Sequence, residues 1–156
     1  MTIWYIDYEF DGHNGQNISM AMVSEQKELY LVATDLFIKD EWVKQNVIPI
    51  LHSDSCLNTF ETQTIHFGSY IRFYIKSGDL IIADSPVDIS RFCRDISTDP
   101  SGNWNSLNLE NIKFEVRNVN CYPSVLSGAI QHNAWWDASA LRARVDNMMD
   151  NNVAIR

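Results

Sequence analysis

The sequence has no long hydrophobic run. No apolar stretch approaches the ~18 to 20 residues that a membrane-spanning helix requires. Residues 1–4 also lack the basic segment and the apolar segment with which a secretory signal peptide begins. We therefore expect no membrane partner and a cytoplasmic location.

Cysteine is scarce and scattered. Cys56, Cys93 and Cys121 form no C-x-x-C pair, so zinc ribbons and thioredoxin-like redox chemistry are not expected. Buried reduced thiols are the better interpretation. The G-x-S-x-G nucleophile elbow is also missing, which leaves a Ser-His-Asp hydrolase poorly supported.

Positive charge is in short supply. The chain has 12 Lys and Arg against 20 Asp and Glu, a formal net charge of −8. Because binding along a duplex requires a basic face, a short nucleic-acid end held by a local patch is the more reasonable substrate. The missing basic tract suggests help from a second subunit, so a homodimer is plausible.

The composition is that of one globular domain spanning residues 1–156, with 46% hydrophobic and 21% charged residues. In the first predicted helix, Trp42 and Val43 share the apolar face. A loop is predicted at 52–60 and a turn at 99–103, and 122–130 is unassigned. The patterning predicts strands at 2–10, 18–24, 29–33, 79–83 and 113–119, and helices at 41–51, 64–76, 87–96 and 133–149. This order predicts an α/β fold with a mixed β-sheet flanked by helices.

Two acids lie on the first predicted strand. Asp7 and Glu9 are two residues apart, so their side chains share one face. Two carboxylates ~4 Å apart repel by ~4 kcal/mol at an effective dielectric of about 20, and such a pair needs counter-charges or bound cations. An exposed or ion-paired acid at the strand end explains the pair equally well.

A third acid follows the strand at 79–83. Asp88 lies at the start of the next helix, and sites in α/β sheets form at the carboxyl ends of strands. A first-turn acid favoured by the helix dipole is the alternative interpretation. Asp84 competes for the same role, although the spacing favours Asp88.

Near the end of the chain, His132 precedes Asp137 by five positions. A histidine with an unperturbed pKa near ~6.5 suits a general base at neutral pH. A lone histidine at a helix start is usually a surface residue, but the company of Asp7, Glu9 and Asp88 favours the catalytic interpretation. Four carboxylates and a histidine in this order match two-metal phosphodiester hydrolysis.

The ordered set Asp7-x-Glu9, Asp88 and His132-x-x-x-x-Asp137 resembles the DEDDh group of 3′→5′ exonucleases, which have an RNase H-like fold. The likeness spans roughly the whole chain. The run DYEFDG at 7–12, with ISMA at 18–21, resembles the opening of RNase T-like members. Residues 42–43 and 47–49 resemble a small bacterial and phage-type exoribonuclease branch. The middle motif departs from the common form, since ADSPVD at 83–88 replaces a Gly or His and an Asn before the aspartate.

The resemblance implies a role for each matching residue. Asp7 would bridge two divalent cations, Mg²⁺ or Mn²⁺, and Glu9 and Asp137 would complete the shell of one of them. Asp88 would support the second cation, and His132 would deprotonate the attacking water. The implied activity is 3′→5′ hydrolysis of single-stranded RNA ends or short oligonucleotides to 5′-monophosphates.

Candidate substrate contacts lie next to these motifs. Phe10 could stack on the terminal base, with a core aromatic as the equal alternative. One of Trp135 and Trp136 is expected in the core, and Trp136 is the candidate for the pocket. Arg91 could supply a local phosphate patch, although most arginines on these helices fit a solvated face.

Two other functions remain open. Trimming of DNA 3′ ends uses the same chemistry, and no contact to a 2′-OH can be identified. A degenerate nuclease fold that serves as a protein-interaction module is the alternative from another class.

Overall fold

The strand that carries Asp7 and Glu9 lies inside a six-stranded mixed sheet. The computed structural model describes residues 1–101, 103 and 111–153, with side chains described up to residue 148. The strands are β1 (Ile3–Phe10), β2 (Asn17–Val23), β3 (Glu28–Ala33), β4 (Thr59–Thr62), β5 (Leu80–Ala83) and β6 (Lys113–Val116). Their order is β4-β3-β2-β1-β5-β6, and β2 alone runs antiparallel to the others.

Helices cover both faces of this sheet. They are α1 (Glu41–Asn46), α2 (Phe67–Tyr74), α3 (Pro86–Ser97) and α4 (Ala134–Val153), with short 3₁₀ helices at Ile48–Ile50 and Thr64–His66. Residues of α2 and α3 pack on one face, and residues of α1 and α4 pack on the other. The chain is therefore a single-domain, three-layer α/β fold that is compatible with an RNase H-like fold.

The alternation of β1 decides which layer each of its side chains meets. Trp4 and Ile6 belong to the core shared with α2 and α3, whereas Tyr5 packs with Leu141 of α4. Because successive strand side chains point to opposite faces, the odd-numbered acids of β1 lie on the α4 side. The strand thus presents its carboxylates to the helix that carries Asp137.

Asn133 fixes the position of α4. This residue is fully buried at the start of the helix, and its Oδ1 accepts a hydrogen bond from the Trp136 N–H at 3.2 Å. Its Nδ2 donates to the carbonyls of Ile50 at 2.9 Å and Leu51 at 3.3 Å. An asparagine cap therefore ties α4 to the end of the 3₁₀ helix that follows α1.

The structure confirms the predicted α/β class and mixed sheet, and it corrects some of the element boundaries. The predicted helix at 41–51 is divided into α1 and a 3₁₀ helix, because Pro49 has no N–H for an α-helical bond. The predicted loop at 52–60 was wrong at its end, where β4 begins. That strand has four residues, and its Phe60 is 38% exposed, so it lacks the buried alternation that predicts a strand. Gly102 of the predicted turn lies outside the described residues.

The other predicted elements agree with the structure apart from their ends. The helix expected at 64–76 starts as a 3₁₀ helix and continues as α2, and the last strand ends at Val116 rather than at residue 119. Among the residues that the structure describes, no helix combines the length and the apolar character needed to cross a membrane.

Candidate metal centre

The carboxyl ends of β1 and β5 separate, and the candidate site lies where they part. The two strands pair only from Ile3 with Leu80 to Tyr5 with Ile82. Beyond that point β1 continues beside β2, while the chain after β5 turns into α3. The carboxylate of Asp88 on α3 then faces the backbone N–H of Tyr8. The sheet has opened a crevice at its carboxyl edge, which is where α/β folds place their sites.

Two sets of ligand atoms meet at this crevice. Asp7, Asp84 and Asp88 each place one carboxylate oxygen within 4.8 Å of the others. Glu9 and Asp137 do the same with an imidazole nitrogen of His132. The structure therefore brings together all five predicted catalytic and metal-binding residues. It also brings both Asp84 and Asp88 to Asp7, so the two acids are neighbours in one set rather than alternatives.

The two sets are electrostatically close. Burial raises the pKa of Asp7 well above its ordinary value, and the charges of Asp88 and Asp137 raise it further. Burial and the neighbouring Asp137 raise the pKa of Glu9 to about 8. Burial, followed by the charge of Asp84, raises the pKa of Asp88 to about 8, and burial raises that of Asp137 to about 6. Without a counter-charge, the cluster thus holds protons near neutral pH.

One atom in the cluster shows what the site requires. Asp7 is half-buried as a residue, but its Oδ2 is out of contact with solvent and has no hydrogen-bond partner among the described residues. A buried carboxylate oxygen without a donor is costly. Hard divalent cations such as Mg²⁺ and Mn²⁺ take oxygen ligands of this kind. The donor set therefore fits such cations.

Asp137 is held in one orientation by two donors. The Tyr122 hydroxyl donates to its Oδ1 at 2.5 Å, and the backbone N–H of His132 donates to its Oδ2 at 3.0 Å. His132 has a φ of 69°, in the left-handed region where histidine is enriched among non-glycine residues. Sequence reasoning missed Tyr122 because it lies in the segment 122–130, which carries no periodic pattern.

The imidazole of His132 has an aromatic neighbour. The Trp42 ring meets it edge-on, with centroids 5.0 Å apart and planes at 85°. Burial lowers the pKa of His132, so the ring is neutral near pH 7 and can accept a proton. Trp42 was predicted on the apolar face of the first predicted helix together with Val43, but Trp42 is 52% exposed whereas Val43 is buried. Helical spacing alone does not distinguish a core tryptophan from one beside a site.

Phe10 and Arg91 contact each other outside the ligand sets. The Arg91 guanidinium lies 3.8 Å from the centroid of the Phe10 ring, and Phe10 also packs against the core. Arg91 is 7% exposed and donates to the carbonyl of Gly15 at 3.0 Å and to Oδ1 of Asn17 at 2.5 Å. Its guanidinium thus holds the loop between β1 and β2. Contacts of these two residues with a substrate stay a prediction.

Trp136 likewise lies outside both ligand sets. Its indole N–H donates to the carbonyl of Ser53 at 2.8 Å, and its ring lies 4.6 Å from that of Trp135. Trp135 packs against the core cluster on the α4 side, and its own indole N–H donates to Glu28 at 3.0 Å. A substrate contact of Trp136 also stays a prediction.

Comparison with known proteins does not identify the chain. No family model matches it, and no curated protein matches it either. The chemistry of the crevice therefore has to be inferred from the residues that line it.

Proposed function

We propose that this protein is a metal-dependent 3′→5′ exonuclease that hydrolyses single-stranded RNA ends or short oligonucleotides to 5′-monophosphates. The observation that carries the proposal is the pair of adjacent ligand sets around Asp7, whose buried Oδ2 has no hydrogen-bond partner among the described residues. The ordered motifs that resemble the DEDDh exonucleases supply the polarity and the substrate class. Two cations, Mg²⁺ or Mn²⁺, are the implied cofactors.

The residues divide between holding cations and moving a proton. Asp7, Asp84 and Asp88 form one cation-binding set, and Glu9 and Asp137 belong to the other. Asp7 interacts with acids of both sets, which suits a ligand shared between two ions. When bound, the cations supply positive charge that stabilises the charge developing on the phosphate.

The proton is handled by His132. Its neutral imidazole accepts the proton of the attacking water as the water oxygen bonds to phosphorus. The bond from phosphorus to the 3′-oxygen of the preceding nucleotide then breaks, that oxygen takes a proton from solvent to become a 3′-hydroxyl, and the terminal nucleotide leaves with a 5′-phosphate. Tyr122 and the His132 backbone keep Asp137 oriented beside this imidazole.

The same geometry would also serve a DNA 3′ end. An enzyme tells RNA from DNA by a contact to the 2′-OH, and the ligand sets do not supply one. An inactive nuclease-fold interaction module would need the acids for neither binding nor catalysis. A cytoplasmic location and a homodimer also belong to the proposal.

The test uses matched RNA and DNA oligomers labelled at the 5′ or the 3′ end. With Mg²⁺ or Mn²⁺, we expect the 3′ label to be released first as a mononucleotide, and we expect EDTA to stop the release. Comparison of the two sugars separates the RNA and DNA versions. We expect His132→Ala to lower kcat by about 10²- to 10⁴-fold, which is the usual contribution of a positioned base.

His52→Ala is the matched control, because His52 is an exposed histidine whose imidazole lies 3.7 Å from Glu61, outside both ligand sets. It should hydrolyse like the wild type. Hydrolysis that persists in EDTA, or equal effects of the two histidine variants, would contradict the proposal. Absence of both hydrolysis and Mn²⁺ binding would favour the interaction module.

A further inference from the structure

A hollow lies between α3 and the loop joining β1 to β2. Its volume is about 380 Å³, and its lining includes His13 and Asn14 from the loop and Ser90, Arg91 and Arg94 from the helix. The same helix carries Asp88 in its first turn. Arg91 of the lining lies three residues after Asp88, so the hollow and the ligand set that includes Asp88 are neighbours along one helix.

The charge of the hollow is opposite to that of the chain. None of its lining residues is acidic, although the sequence has 20 Asp and Glu against 12 Lys and Arg. After burial, the charge of Arg94 is the largest influence that lowers the pKa of Arg91, so the two guanidinium groups repel each other, while the charges of Asp88 and Asp95 offset part of this effect. The ion pair of Arg94 with Asp95 is long, at 4.0 Å, and 62% of the Arg94 side chain is exposed. An anion between the two arginines would offset their repulsion.

The two walls of the hollow are fixed to each other. Arg91 donates to the carbonyls of Gly15 and His13, at 3.0 and 3.3 Å, and thereby ties the loop to α3. The Asn17 side chain donates to Asp95 of the same helix at 3.1 Å. Arg91 is thus committed to the protein, while the Arg94 guanidinium has only its long ion pair with Asp95 among the described residues. A preformed hollow of this kind loses little conformational entropy when it binds a ligand.

We propose that this hollow binds a backbone phosphate of the substrate strand, on the 5′ side of the phosphate that is hydrolysed. This inference rests on the proposed function. Arg94 provides the direct contact, because a guanidinium matches the oxygens of a phosphate, and Arg91 forms the positively charged wall. A nucleoside monophosphate has one phosphate and can occupy only one of the two places, whereas an oligonucleotide has a phosphate for each.

The experiment measures binding separately from hydrolysis. Fluorescence anisotropy with Ca²⁺ gives the Kd of a labelled single-stranded pentanucleotide, and competition gives the Kd of a nucleoside 5′-monophosphate. We expect Arg94→Gln to raise the Kd of the pentanucleotide about 5- to 10-fold and to lower the salt dependence of log Kd by about 0.7, the value for one phosphate contact on a single strand. The Kd of the mononucleotide should change less than about twofold, since it makes no contact in the hollow.

Lys113→Gln is the control for net charge. Lys113 is exposed at the start of the edge strand β6 and pairs with Leu80, at the opposite end of β5 from Asp84. Equal Kd values for the two variants would overturn the proposed subsite. Equal weakening of mononucleotide and pentanucleotide binding in Arg94→Gln would also overturn it, because the hollow would then hold the terminal phosphate.

Hydrolysis by the wild type with Mn²⁺ is measured in parallel, so that the two proposals fail separately. Hydrolysis without an effect of Arg94 on binding rejects the subsite alone. Arg94-dependent binding of the pentanucleotide without hydrolysis rejects the exonuclease and retains the strand-binding hollow. Absence of both hydrolysis and oligonucleotide binding rejects both.

Discussion

Asp7 lies in β1, and Asp79 lies beside the amino end of that strand. Both aspartates have carboxylate oxygens buried from solvent, but their hydrogen-bond partners differ. Asp79, next to the amino end of the strand, is 2% exposed and accepts three hydrogen bonds. Its donors are the Thr2 N–H at 2.7 Å, the Trp4 indole N–H at 3.2 Å and the Lys76 N–H at 2.9 Å. Asp7, toward the carboxyl end, has an Oδ2 atom that meets no donor among the described residues.

The comparison distinguishes a buried carboxylate that stabilises the fold, Asp79, from one whose burial suits the proposed function, Asp7. The fold supplies Asp79 with backbone and indole donors, so the carboxylate ties neighbouring segments together. Around Asp7 it supplies further carboxylates. Burial raises the pKa of Asp7, and these carboxylates raise it further instead of balancing the charge. A buried carboxylate oxygen without a hydrogen-bond donor is expected where a protein binds an ion or another ligand.

The largest expected effect comes from neutralising Asp7. We expect Asp7→Asn to lower kcat by at least about 10³-fold, because a ligand of the proposed cations is lost. The metal-free variant should be no less stable than the wild type, since the amide is neutral without taking up a proton and adds no repulsion to the neighbouring carboxylates. Oligonucleotide hydrolysis and thermal melting check the two parts. Activity within about tenfold of the wild type would contradict the assigned role of Asp7.

The matching change at the other aspartate should affect stability instead. Asp79→Ala leaves three donors without their acceptor, so we expect the free energy of unfolding to fall by about 3 kcal/mol. The folded variant should still be stabilised by Mn²⁺, because the ligand sets are unchanged. Urea unfolding with and without Mn²⁺ measures both quantities. Loss of the Mn²⁺ response would show that the two regions are not independent.

The dependence of stability on pH and on added cations should also distinguish the candidate metal centre from the surroundings of Asp79. Glu9 and Asp88 have ordinary pKa values of 4.5 and 3.8, raised to about 8 in the folded protein. Between about pH 4 and pH 8 the metal-free folded state therefore binds more protons than the unfolded state, and its stability falls as pH rises. Cations need deprotonated ligands, so their stabilisation grows over the same window.

At 100 times its Kd, a cation should add about 2.7 kcal/mol to the free energy of unfolding. We expect the melting temperature in EDTA to decline from pH 5 to pH 8, and the decline to be smaller in Mn²⁺. Asp7→Asn is the control, in which the two curves should run closer together. Parallel curves for the wild type would count against cation binding at these carboxylates.

The smallest expected effect concerns the neighbour of the proposed base. An edge-on aromatic contact contributes about 1 kcal/mol, so Trp42→Ala should lower kcat about 3- to 10-fold. Trp42→Phe keeps a ring against His132 and should retain most of the activity. The pH dependence of kcat should shift in the alanine variant, because the burial that lowers the pKa of His132 is reduced. Equal kcat values for the alanine variant and the wild type would exclude a positioning role.

The elements that position the site were largely predictable. The alternation of β1 places Asp7 and Glu9 on one face, and the start of α3 places Asp88 after a buried strand. These features depend on neighbours in the sequence, so local patterns reveal them. β4 was missed because an exposed four-residue strand carries no such pattern.

The contacts that refine the site were not predictable. Tyr122 reaches Asp137 from a segment without regular structure, and Trp42 reaches His132 from a different helix on the same face of the sheet. No spacing within one element encodes either pair, because each joins residues that are far apart in the chain. Asp84 could not be separated from Asp88 for a related reason: both lie near Asp7 once α3 has packed.

The amino-acid sequence by itself determined the α/β class, most of the elements and the order in which acids and histidine occur, because these follow from hydrophobic periodicity and local spacing. Only the tertiary structure decided which carboxylates share a ligand set, which tyrosine and tryptophan support them, and which buried oxygen lacks a donor. Those facts depend on where β1 and β5 separate and on where Asn133 anchors α4. Convergence of distant segments is a property of packing, so it becomes visible only when the layers are assembled.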